Sequence, residues 1–382
     1  MPSGPSARPS ATIGEAGSDD PLEISVLATP AGKTPLTGIT VLEAARGAKD
    51  TLGEAFPDHD VVEDFELDLI APAPRDALGG SVSIGDSQAA ANAEPWHLEE
   101  IGLLQARRLG FGFSGNGVLV GLLDTGVANV PELEGRIVEN RIFNPERFDY
   151  EKAPIADTDW HGTHVAGLIA GRSVGVAPGS KIVSLTMIPR RVGSFSHYVF
   201  ALEHAQARPE IQILNVSAGK AGQHSQMRNM ARIAQLLDVL CVMAIGNSGM
   251  NTNCSPGNYP EVVSVGASDR DGHVWTGSSG GSTTWDGVKH VTPTVVAPGV
   301  DVVSSLPSEG FRAESGTSMA APIVTGIAAL LIEKHPDISA KDLHDEIRSA
   351  CVSLNLDVER QGAGVVRVPA TLLAGLSAQN SR

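Results

Sequence analysis

The feature that most constrains the fold is a series of short segments, each apolar along its whole length, that alternate with helical patterns from residue 118 onward. A strand that is apolar at every position, and not only at every second one, is buried on both faces. Such strands in alternation with helices are typical of a parallel sheet covered by helices on both sides. The sequence therefore predicts an α/β fold with a doubly wound, mainly parallel sheet. The predicted strands are 118–123, 181–188, 211–216, 239–245, 262–267 and 294–297, and the predicted helices are 161–171, 196–207, 227–237, 323–332 and 340–353.

The beginning of the chain has a different organisation. Residues 1–20 are rich in Pro, Ser, Gly and Ala, which predicts a disordered tail. Residues 21–94 are expected to form a small α+β unit, and 95–382 the main domain. A helix in the small unit is predicted from apolar residues spaced by three and four positions. The predicted elements of this unit are a strand at 22–29, a helix at 39–56, a strand at 60–70 and a linker at 71–93.

Composition narrows the range of partners. The chain has 382 residues, a net charge of −16 and a pI near 5.1, and no basic stripe that could bind phosphates, so nucleic acid is not expected as a partner. No apolar run is long enough to span a bilayer without charge, so no membrane partner is expected. The three cysteines are too few and too widely spaced for a disulfide framework or a zinc knuckle. The first residues lack the apolar core of a secretory signal, and we therefore expect a cytoplasmic location.

Four polar residues follow predicted strands or begin predicted helices, and their chemistry is complementary. A serine hydroxyl is a poor nucleophile near neutral pH and needs a base, most often a histidine, whose ring is oriented by a carboxylate. Asp124, His161 and Ser318 supply these three groups. Asn247 supplies an amide donor at the end of a strand, where it can bind a developing oxyanion together with the N–H of Ser318. The pattern predicts a hydrolase with a nucleophilic serine.

Two other chemical interpretations account for fewer of these residues. Asp124-Thr125-Gly126 after an apolar strand is also typical of aspartic proteases, but such an enzyme needs two carboxylates that share one proton. Only one such motif is present, so a homodimer would have to supply the second carboxylate. His161 and His164 could ligate a metal, but the Glu of the metalloprotease helix motif is absent. Neither alternative accounts for Ser318.

Four stretches of the chain resemble the motifs of subtilisin-like serine proteases, in the family's order and at compatible separations, between about residue 95 and about residue 376. The resemblance implies that Asp124 orients His161, that His161 is the general base and acid, and that Ser318 is the nucleophile. Asn247 is then the oxyanion donor, and the substrate is a polypeptide. The stretches are Leu122-Leu123-Asp124-Thr125-Gly126, His161-Gly162-Thr163-His164-Val165-Ala166-Gly167, Ala244-Ile245-Gly246-Asn247-Ser248-Gly249 and Gly316-Thr317-Ser318-Met319-Ala320-Ala321-Pro322.

The resemblance also implies where a substrate binds. An extended peptide would lie between two edges of the protein, and such pairing recognises backbone more than side chains, so broad specificity is expected. Cys254 would lie at the base of the pocket for the residue that precedes the cleaved bond. The family places a cis proline next to it, which makes Ser255-Pro256 a candidate for a cis bond. The implied substrate-binding residues are Ser217, Ala218 and Gly219 on one edge, Gly193, Ser194, Phe195 and Ser196 on the other, and Ala244, Gly246 and Cys254 in the pocket.

The sequence departs from the family pattern at a loop that binds calcium in many secreted members. The segment 171–178 is short, and Glu132 stands where those members have an acidic ligand. A carboxylate without a ring of carbonyl ligands is a poor site for a cation that takes about six to eight oxygens. We therefore expect no calcium at this place and no cofactor. Asp157 and Asp159 flank the approach to His161 and fit either a solvated loop or a preference for a basic substrate residue.

The N-terminal unit fits a role in maturation. Many members of the family carry a small propeptide that assists folding and then blocks the cleft, and residues 21–94 have about the right length. We expect this unit to be an intramolecular inhibitor that is removed by self-cleavage between Ser81 and Glu94, or alternatively a permanent regulatory domain. The expected function is that of an auto-processed serine endopeptidase. The alternatives are a dedicated intracellular processing protease for one partner precursor and a catalytically silent binding protein on the same fold.

Overall fold

The computed structural model describes residues 22–28, 39–45, 54, 60–70, 95–144, 149–308 and 310–374. The chain divides into two compact units, Met1–Phe65 and Glu66–Arg382. This division falls inside the segment 60–70, which the sequence predicted as a single strand. Residues 66–70 therefore belong to the same unit as the predicted main domain.

Among its described residues, the first unit contains three strands, β1 Leu22–Ala28, β2 Ile39–Ala45 and β3 Asp60–Glu63, in an antiparallel sheet of order β2-β1-β3. The helix predicted at 39–56 is wrong in its first part, because β2 pairs with β1 over its whole length. The β-branched residues that open β2 favour extended backbone, and cross-strand pairing outweighs a helical spacing of apolar residues. Residues 46–53 and 55–59 lie outside the described residues, as do the predicted tail 1–20 and linker 71–93.

The second unit contains the remaining strands that the structure describes. In chain order they are β4 Glu66–Leu69, β5 Leu119–Asp124, β6 Ile137–Asn144, β7 Asp149–Lys152, β8 Lys181–Thr186, β9 Val192–Ser194, β10 Ile211–Val216, β11 Ala218–Ala221, β12 Leu240–Ala244, β13 Cys254–Ser255, β14 Val263–Ser268, β15 Gly281–Trp285, β16 Val288–Thr292, β17 Val295–Pro298, β18 Val302–Leu306, β19 Gly310–Glu314, β20 Cys351–Val352 and β21 Val365–Val366.

Ten of these strands form the main sheet, in the order β20-β21-β17-β14-β12-β10-β5-β8-β6-β7. All neighbours pair in parallel except β6 with β7 and β20 with β21 at the two edges. The predicted doubly wound, mainly parallel sheet is confirmed. The chain adds β8 on one side of β5 and later returns to place β10 on the other. Where a parallel sheet reverses its order in this way, the carboxyl ends of the two central strands open into a crevice.

The helices of the second unit are α1 Trp96–Glu100, α2 Leu103–Arg108, α3 His161–Ala170, α4 Phe195–Gln206, α5 Ser225–Leu236, α6 Thr317–Lys334, α7 Ala340–Ser349, α8 Val358–Gln361 and α9 Ala370–Leu373. Short 3-10 turns occur at Pro131–Leu133 and Pro189–Arg191. Helix α6 packs against α3 and against β10, β12, β14 and β17. By length and composition α6 could cross a membrane, but 89% of it is buried inside this unit, which is the pattern of a core helix.

The strands and helices predicted for the main domain are present within a few residues, with the largest boundary error at α6, which starts at Thr317 and not at residue 323. The edge pair β6–β7 and the hairpins β15–β16 and β18–β19 were not predicted. Strands such as β15 bury only every second residue and are rich in Ser and Thr, so they lack the continuous apolar run of a central strand. The predicted strand 60–70 is divided between β3 and β4, which belong to different sheets.

Candidate active site

Asp124 and His161 lie at the crevice where the main sheet reverses its order. Strand β5 ends at Asp124 and helix α3 begins at His161, and both side chains are buried. The imidazole Nδ1 of His161 is 2.7 Å from Oδ1 of Asp124, and the same oxygen accepts the N–H of Thr125 at 2.7 Å. A buried carboxylate at this distance holds the tautomer in which Nδ1 carries the proton, which leaves Nε2 as an acceptor.

Ser318 is the second residue of α6 and is fully buried. The N–H groups in the first turn of a helix have no acceptor within the helix, and the helix dipole is positive at this end. Negative charge that develops beside Ser318 is therefore stabilised by the backbone of α6.

Asn247 follows β12, and its amide orientation is fixed by Thr317. The Oδ1 atom of Asn247 accepts both the N–H and the Oγ1 hydroxyl of Thr317, each at 2.9 Å. Thr317 Oγ1 in turn accepts the N–H of Gly246 at 3.2 Å. Because the amide oxygen is used in this way, the Nδ2 group faces the opposite direction, where it lies 3.5 Å from the carbonyl oxygen of Ile70. Thr317 thus aims the Asn247 donor into the crevice.

Strand β4 of the chain itself lies in the crevice, between β11 and β9, in a sheet of order β13-β11-β4-β9. It is antiparallel to both neighbours. Beyond the strand, the N–H of Ile70 donates to the carbonyl oxygen of Ser217 at 3.2 Å. The two edges predicted to bind a substrate, β11 and β9, thus both pair with one extended segment, β4. The opposed residues are Leu69 and Ala218, Asp68 and Gly219, and Leu67 and Gly193.

The carbonyl oxygen of Ile70 occupies the point where Ser318 and Asn247 converge. The Ser318 hydroxyl donates to it at 2.8 Å, and the Asn247 amide lies 3.5 Å away. The Nε2 atom of His161 has no hydrogen-bond partner among the described residues. In this state the hydroxyl proton of Ser318 is directed at the bound carbonyl and not at the imidazole. The geometry is that of a chain segment bound in the crevice beside Ser318 and Asn247.

Ile70, Ala244 and Cys254 are all buried and belong to the large hydrophobic core of this unit. Gly246, which has a φ of 116°, adjoins Cys254, since a Cβ added to Gly246 would lie 3.3 Å from Cβ of Cys254. We call the space bounded by Ala244, Gly246 and Cys254 the primary pocket. Burial raises the pKa of the Cys254 thiol to about 12, so the pocket carries no thiolate at neutral pH. The predicted cis bond at Ser255-Pro256 is confirmed.

The second edge of the crevice is shorter than predicted. Strand β9 covers Val192–Ser194, whereas Phe195 and Ser196 already belong to α4. The Ser194 hydroxyl accepts the N–H of His197 at 3.3 Å and so caps this helix, which ends the strand. Phe195 is 2% exposed at the start of α4, so only Gly193 and Ser194 of the predicted stretch lie on the edge itself.

A model of the subtilase family matches residues 115–364 of this chain. The chain belongs to the subtilase family. Among its curated relatives, the subtilisin-like protease PopC of Myxococcus xanthus is 33% identical over 359 residues, which cover 84% of this chain and 73% of the relative. Alkaline elastase YaB of Bacillus sp. is 32% identical over 284 residues, 72% of this chain and 69% of the relative. Subtilisin Savinase of Lederbergia lenta is 30% identical over 286 residues, 73% of this chain and 99% of the relative. The protein is therefore a subtilisin-like serine protease that acts on polypeptides.

The carboxylate of Glu132 in this subtilase accepts hydrogen bonds from the segment that follows α3. Its Oε1 atom accepts the N–H of Ser173 at 2.5 Å, the hydroxyl of Ser173 at 2.9 Å and the N–H of Val174 at 3.1 Å. Three hydrogen bonds from the segment after α3 thus engage Oε1 of Glu132 within the protein. Within the described ranges, no group of three or more His, Cys, Asp or Glu residues is arranged to hold a metal.

His164, considered above as a metal ligand, is a buried residue of α3. Its Nε2 atom lies 3.0 Å from the carbonyl oxygen of Arg312, which anchors α3 to β19. Burial lowers the pKa of His164 to about 3, so the ring is neutral at neutral pH. A neutral donor to a backbone carbonyl accounts for this histidine without a metal.

The sequence did not identify two parts of this site. One is Thr317, which the helical pattern placed only near a helix start. The other is the strand that fills the crevice, because alternation at 60–70 predicts a strand but does not reveal its partner. Ile70 and Ser318 are 248 positions apart, and no local pattern relates them.

Proposed function

We propose that this subtilase hydrolyses peptide bonds through Ser318 as nucleophile, His161 as general base and acid, and Asp124 as the group that orients His161. Asn247 and the N–H of Ser318 bind the oxyanion. The single observation that supports these roles best is the position of the Ile70 carbonyl, whose oxygen lies 2.8 Å from Ser318 Oγ and 3.5 Å from the Asn247 amide. A carbonyl that lies beside both a serine hydroxyl and an amide donor fits acyl transfer, once the hydroxyl turns from the carbonyl oxygen to the imidazole.

The proton movements follow from this arrangement. The Ser318 hydroxyl turns from the bound carbonyl to Nε2 of His161, which takes its proton as Oγ attacks the carbonyl carbon. The carbonyl electrons move to the oxygen, where the Asn247 amide stabilises the negative charge. When the tetrahedral intermediate collapses, His161 gives its proton to the leaving amine and an acyl-enzyme remains. Water then repeats the steps, with His161 again accepting a proton, and releases the acid.

The residues that fill the crevice suggest the class of substrate. Leu67, Leu69 and Ile70 are 0%, 6% and 7% exposed, whereas Glu66 and Asp68 are exposed. From Glu66 to Leu69 the burial alternates, because an extended segment turns every second side chain into the protein, and Ile70 is buried next to Leu69 beyond the strand. The proposed substrates are extended segments with aliphatic residues at the first, second and fourth positions before the cleaved bond. This is narrower than the broad specificity expected from backbone pairing alone.

The same observation suggests the site of self-cleavage. The carbonyl at Ser318 belongs to Ile70, so the bond presented for attack is Ile70–Ala71. A cut there would release 1–70, in which 66–70 is the inhibitory tail, and would leave 71–94 on the enzyme. The range Ser81 to Glu94 predicted from the sequence lies outside the described residues.

Activity-based labelling tests the proposed roles. A fluorophosphonate that reacts with activated serines should label the incubated wild type and leave Ser318→Ala unlabelled. On a fluorogenic peptide that ends in Glu-Leu-Asp-Leu-Ile, Asn247→Ala should lower kcat by about 10²–10³-fold, the loss seen when one such donor is removed from a related subtilisin. Hydrolysis by Ser318→Ala at the wild-type rate would refute the proposal, and absence of labelling and turnover in the wild type would favour a silent binding protein.

A second assay separates a general protease from a dedicated one. A panel of unrelated denatured proteins, digested by the wild type, should be cut mainly after aliphatic residues. If the panel stays intact while the peptide is hydrolysed, the alternative of a processing protease for one precursor gains support.

A further inference from the structure

Asp157 lies in the loop before α3, four residues ahead of His161, and both of its carboxylate oxygens accept hydrogen bonds. Oδ1 accepts the Thr125 hydroxyl at 2.7 Å and the N–H of Asp159 at 3.0 Å. Oδ2 accepts the N–H of Thr163 at 2.8 Å and its hydroxyl at 2.6 Å. The carboxylate is therefore engaged inside the protein, so neither a solvated loop nor a contact with a basic substrate residue describes it.

Two of these donors, Thr125 and Thr163, come from the segments that carry Asp124 and His161. Thr125 directly follows Asp124 at the end of β5, and Thr163 lies in the first turn of α3 behind His161. The Thr125 hydroxyl also accepts the N–H of Gly162 at 2.9 Å. Asp157 thus connects the two segments directly through its own bonds and indirectly through Thr125.

These bonds also serve as the cap of α3. The residue before the helix, Trp160, makes no side-chain capping bond. The N–H groups of Gly162 and Thr163, which have no acceptor within the helix, are satisfied instead by Thr125 and Asp157. A negative charge at this end of a helix is favourable as well. Thr125 and Asp157 therefore cap the start of α3 and at the same time connect α3 to the end of β5.

The two segments are in direct contact, so a shift of one is transmitted to the other. A Cβ added to Gly162 would collide with the carbonyl oxygen of Gly126, and a Cβ added to Gly126 would collide with the carbonyl oxygen of Ala156. Gly126 and Asp157 also form a short antiparallel bridge. The backbones of the two segments are therefore closely packed beside Asp124 and His161.

We propose that Asp157 is a positioning residue for the Asp124–His161 pair: its carboxylate holds the end of β5 and the start of α3 at the separation that gives the 2.7 Å contact between the two side chains. A carboxylate suits this position, because two backbone N–H groups and two hydroxyls donate to it and it has acceptors alone. An Asn side chain of the same size turns its NH₂ group toward a donor on one side or the other. The inference rests on the proposed roles of Asp124 and His161.

Asp157→Asn tests the inference in the full chain after incubation. The concentration of reactive serine is titrated with the fluorophosphonate, and kcat and KM are measured on the Glu-Leu-Asp-Leu-Ile peptide. We expect kcat per titrated site to fall by about 10–100-fold, since small misplacements of reacting groups have effects of this size, while KM stays within about twofold. Asp269→Asn is the matched control, because that carboxylate accepts two backbone N–H groups in a turn of an exposed loop. It should leave kcat per site unchanged.

A merely structural role would lower the number of titrated sites and leave kcat per site at the wild-type value, which would overturn the inference. A rise in KM for peptides with a basic residue, at constant kcat, would overturn it in favour of substrate binding. Failure of the proposed function is distinguishable, because Ser318→Ala would then hydrolyse the peptide as fast as the wild type.

Thr163→Val keeps the inference testable if Asp157→Asn does not fold. This variant keeps the N–H of Thr163 and removes the hydroxyl, which donates to Asp157 and accepts the N–H of Ala128, and we expect kcat per site to fall by about 3–10-fold. Thr371→Val is its control. The exposed hydroxyl of Thr371, on α9, also donates to a carboxylate, that of Glu346 on α7, at 2.8 Å. Equal kcat in Thr163→Val and in Thr371→Val would contradict the inference.

Discussion

We expect Cys254 to limit the depth of the primary pocket. A Cβ added to Gly219 would lie 2.8 Å from its sulfur, and one added to Gly246 would lie 3.3 Å from its Cβ, so the side chain lies against both glycines. The thiol is neutral because burial raises its pKa to about 12. We expect a small, uncharged group at this place to suit an aliphatic residue such as Ile70 better than an aromatic ring.

Cys254→Gly should therefore shift the preference toward larger residues. Removal of the side chain opens the base of the pocket, and a change of this volume in an apolar pocket alters selectivity by about 10-fold or more. We expect the ratio of kcat/KM for Phe over Ile at the position before the cut to rise by that factor. Cys351→Ala, at the far edge of the main sheet, is the control and should not change the ratio. An unchanged ratio in Cys254→Gly would show that another residue limits the pocket.

At the same scale, residue types and their order predicted Asp124, His161, Asn247 and Ser318, because each supplies a reactive group that follows a strand or starts a helix. Their partners could not be predicted in this way. Thr317 orients Asn247 from 70 positions away, and Asp157 acts on Thr125 from 32 positions away. Threonines and aspartates are common at turns and helix starts, so their local sequence gives no sign of these contacts.

At the scale of secondary structure, the central strands were predictable because a short, continuous apolar run between helical patterns is typical of a strand buried on both faces. Strand β2 was not predictable, because the apolar spacing of 39–56 fits a helix while the Ile-Thr-Val at its start fits a strand. Only the pairing of β2 with β1 decides between the two. Strand β4 illustrates the same limit. Its alternation was recognised, but its pairing with β9 and β11 depends on segments more than a hundred positions away.

At the scale of the whole molecule, a buried histidine couples stability to pH. His97 of α1 is fully buried, and its Nε2 atom lies 2.8 Å from the carbonyl oxygen of Val174 in the loop after α3. Burial lowers the pKa of His97 to about 4, from about 6.5 in the unfolded chain. The unfolded state therefore binds the proton first. The stability that follows from the neutral ring is fully present above about pH 6.5 and is lost as the pH falls toward 4.

His97→Gln should reduce this loss, because the amide keeps a donor to Val174 but does not titrate. Urea unfolding at pH 7 and pH 4, in the Ser318→Ala background to prevent self-digestion, measures the effect. We expect the drop in unfolding free energy between these pH values to be smaller by about 3 kcal/mol than in the parent. His335→Gln, at the exposed end of α6, should behave like the parent. The same drop in all three proteins would mean that His97 does not titrate in this range on unfolding.

The proposed function depends on β4 and Ile70, which fill the crevice. Their contacts are the basis for the roles of Ser318 and Asn247, for the substrate class and for self-cleavage at Ile70–Ala71. Intact mass spectrometry of the incubated wild type and of Ser318→Ala, side by side, tests it most directly. The account predicts that the 39.7 kDa wild type yields fragments 1–70 and 71–382 while Ser318→Ala stays whole. A wild-type cut at another bond, an uncut wild type, or the same fragments in Ser318→Ala would contradict it.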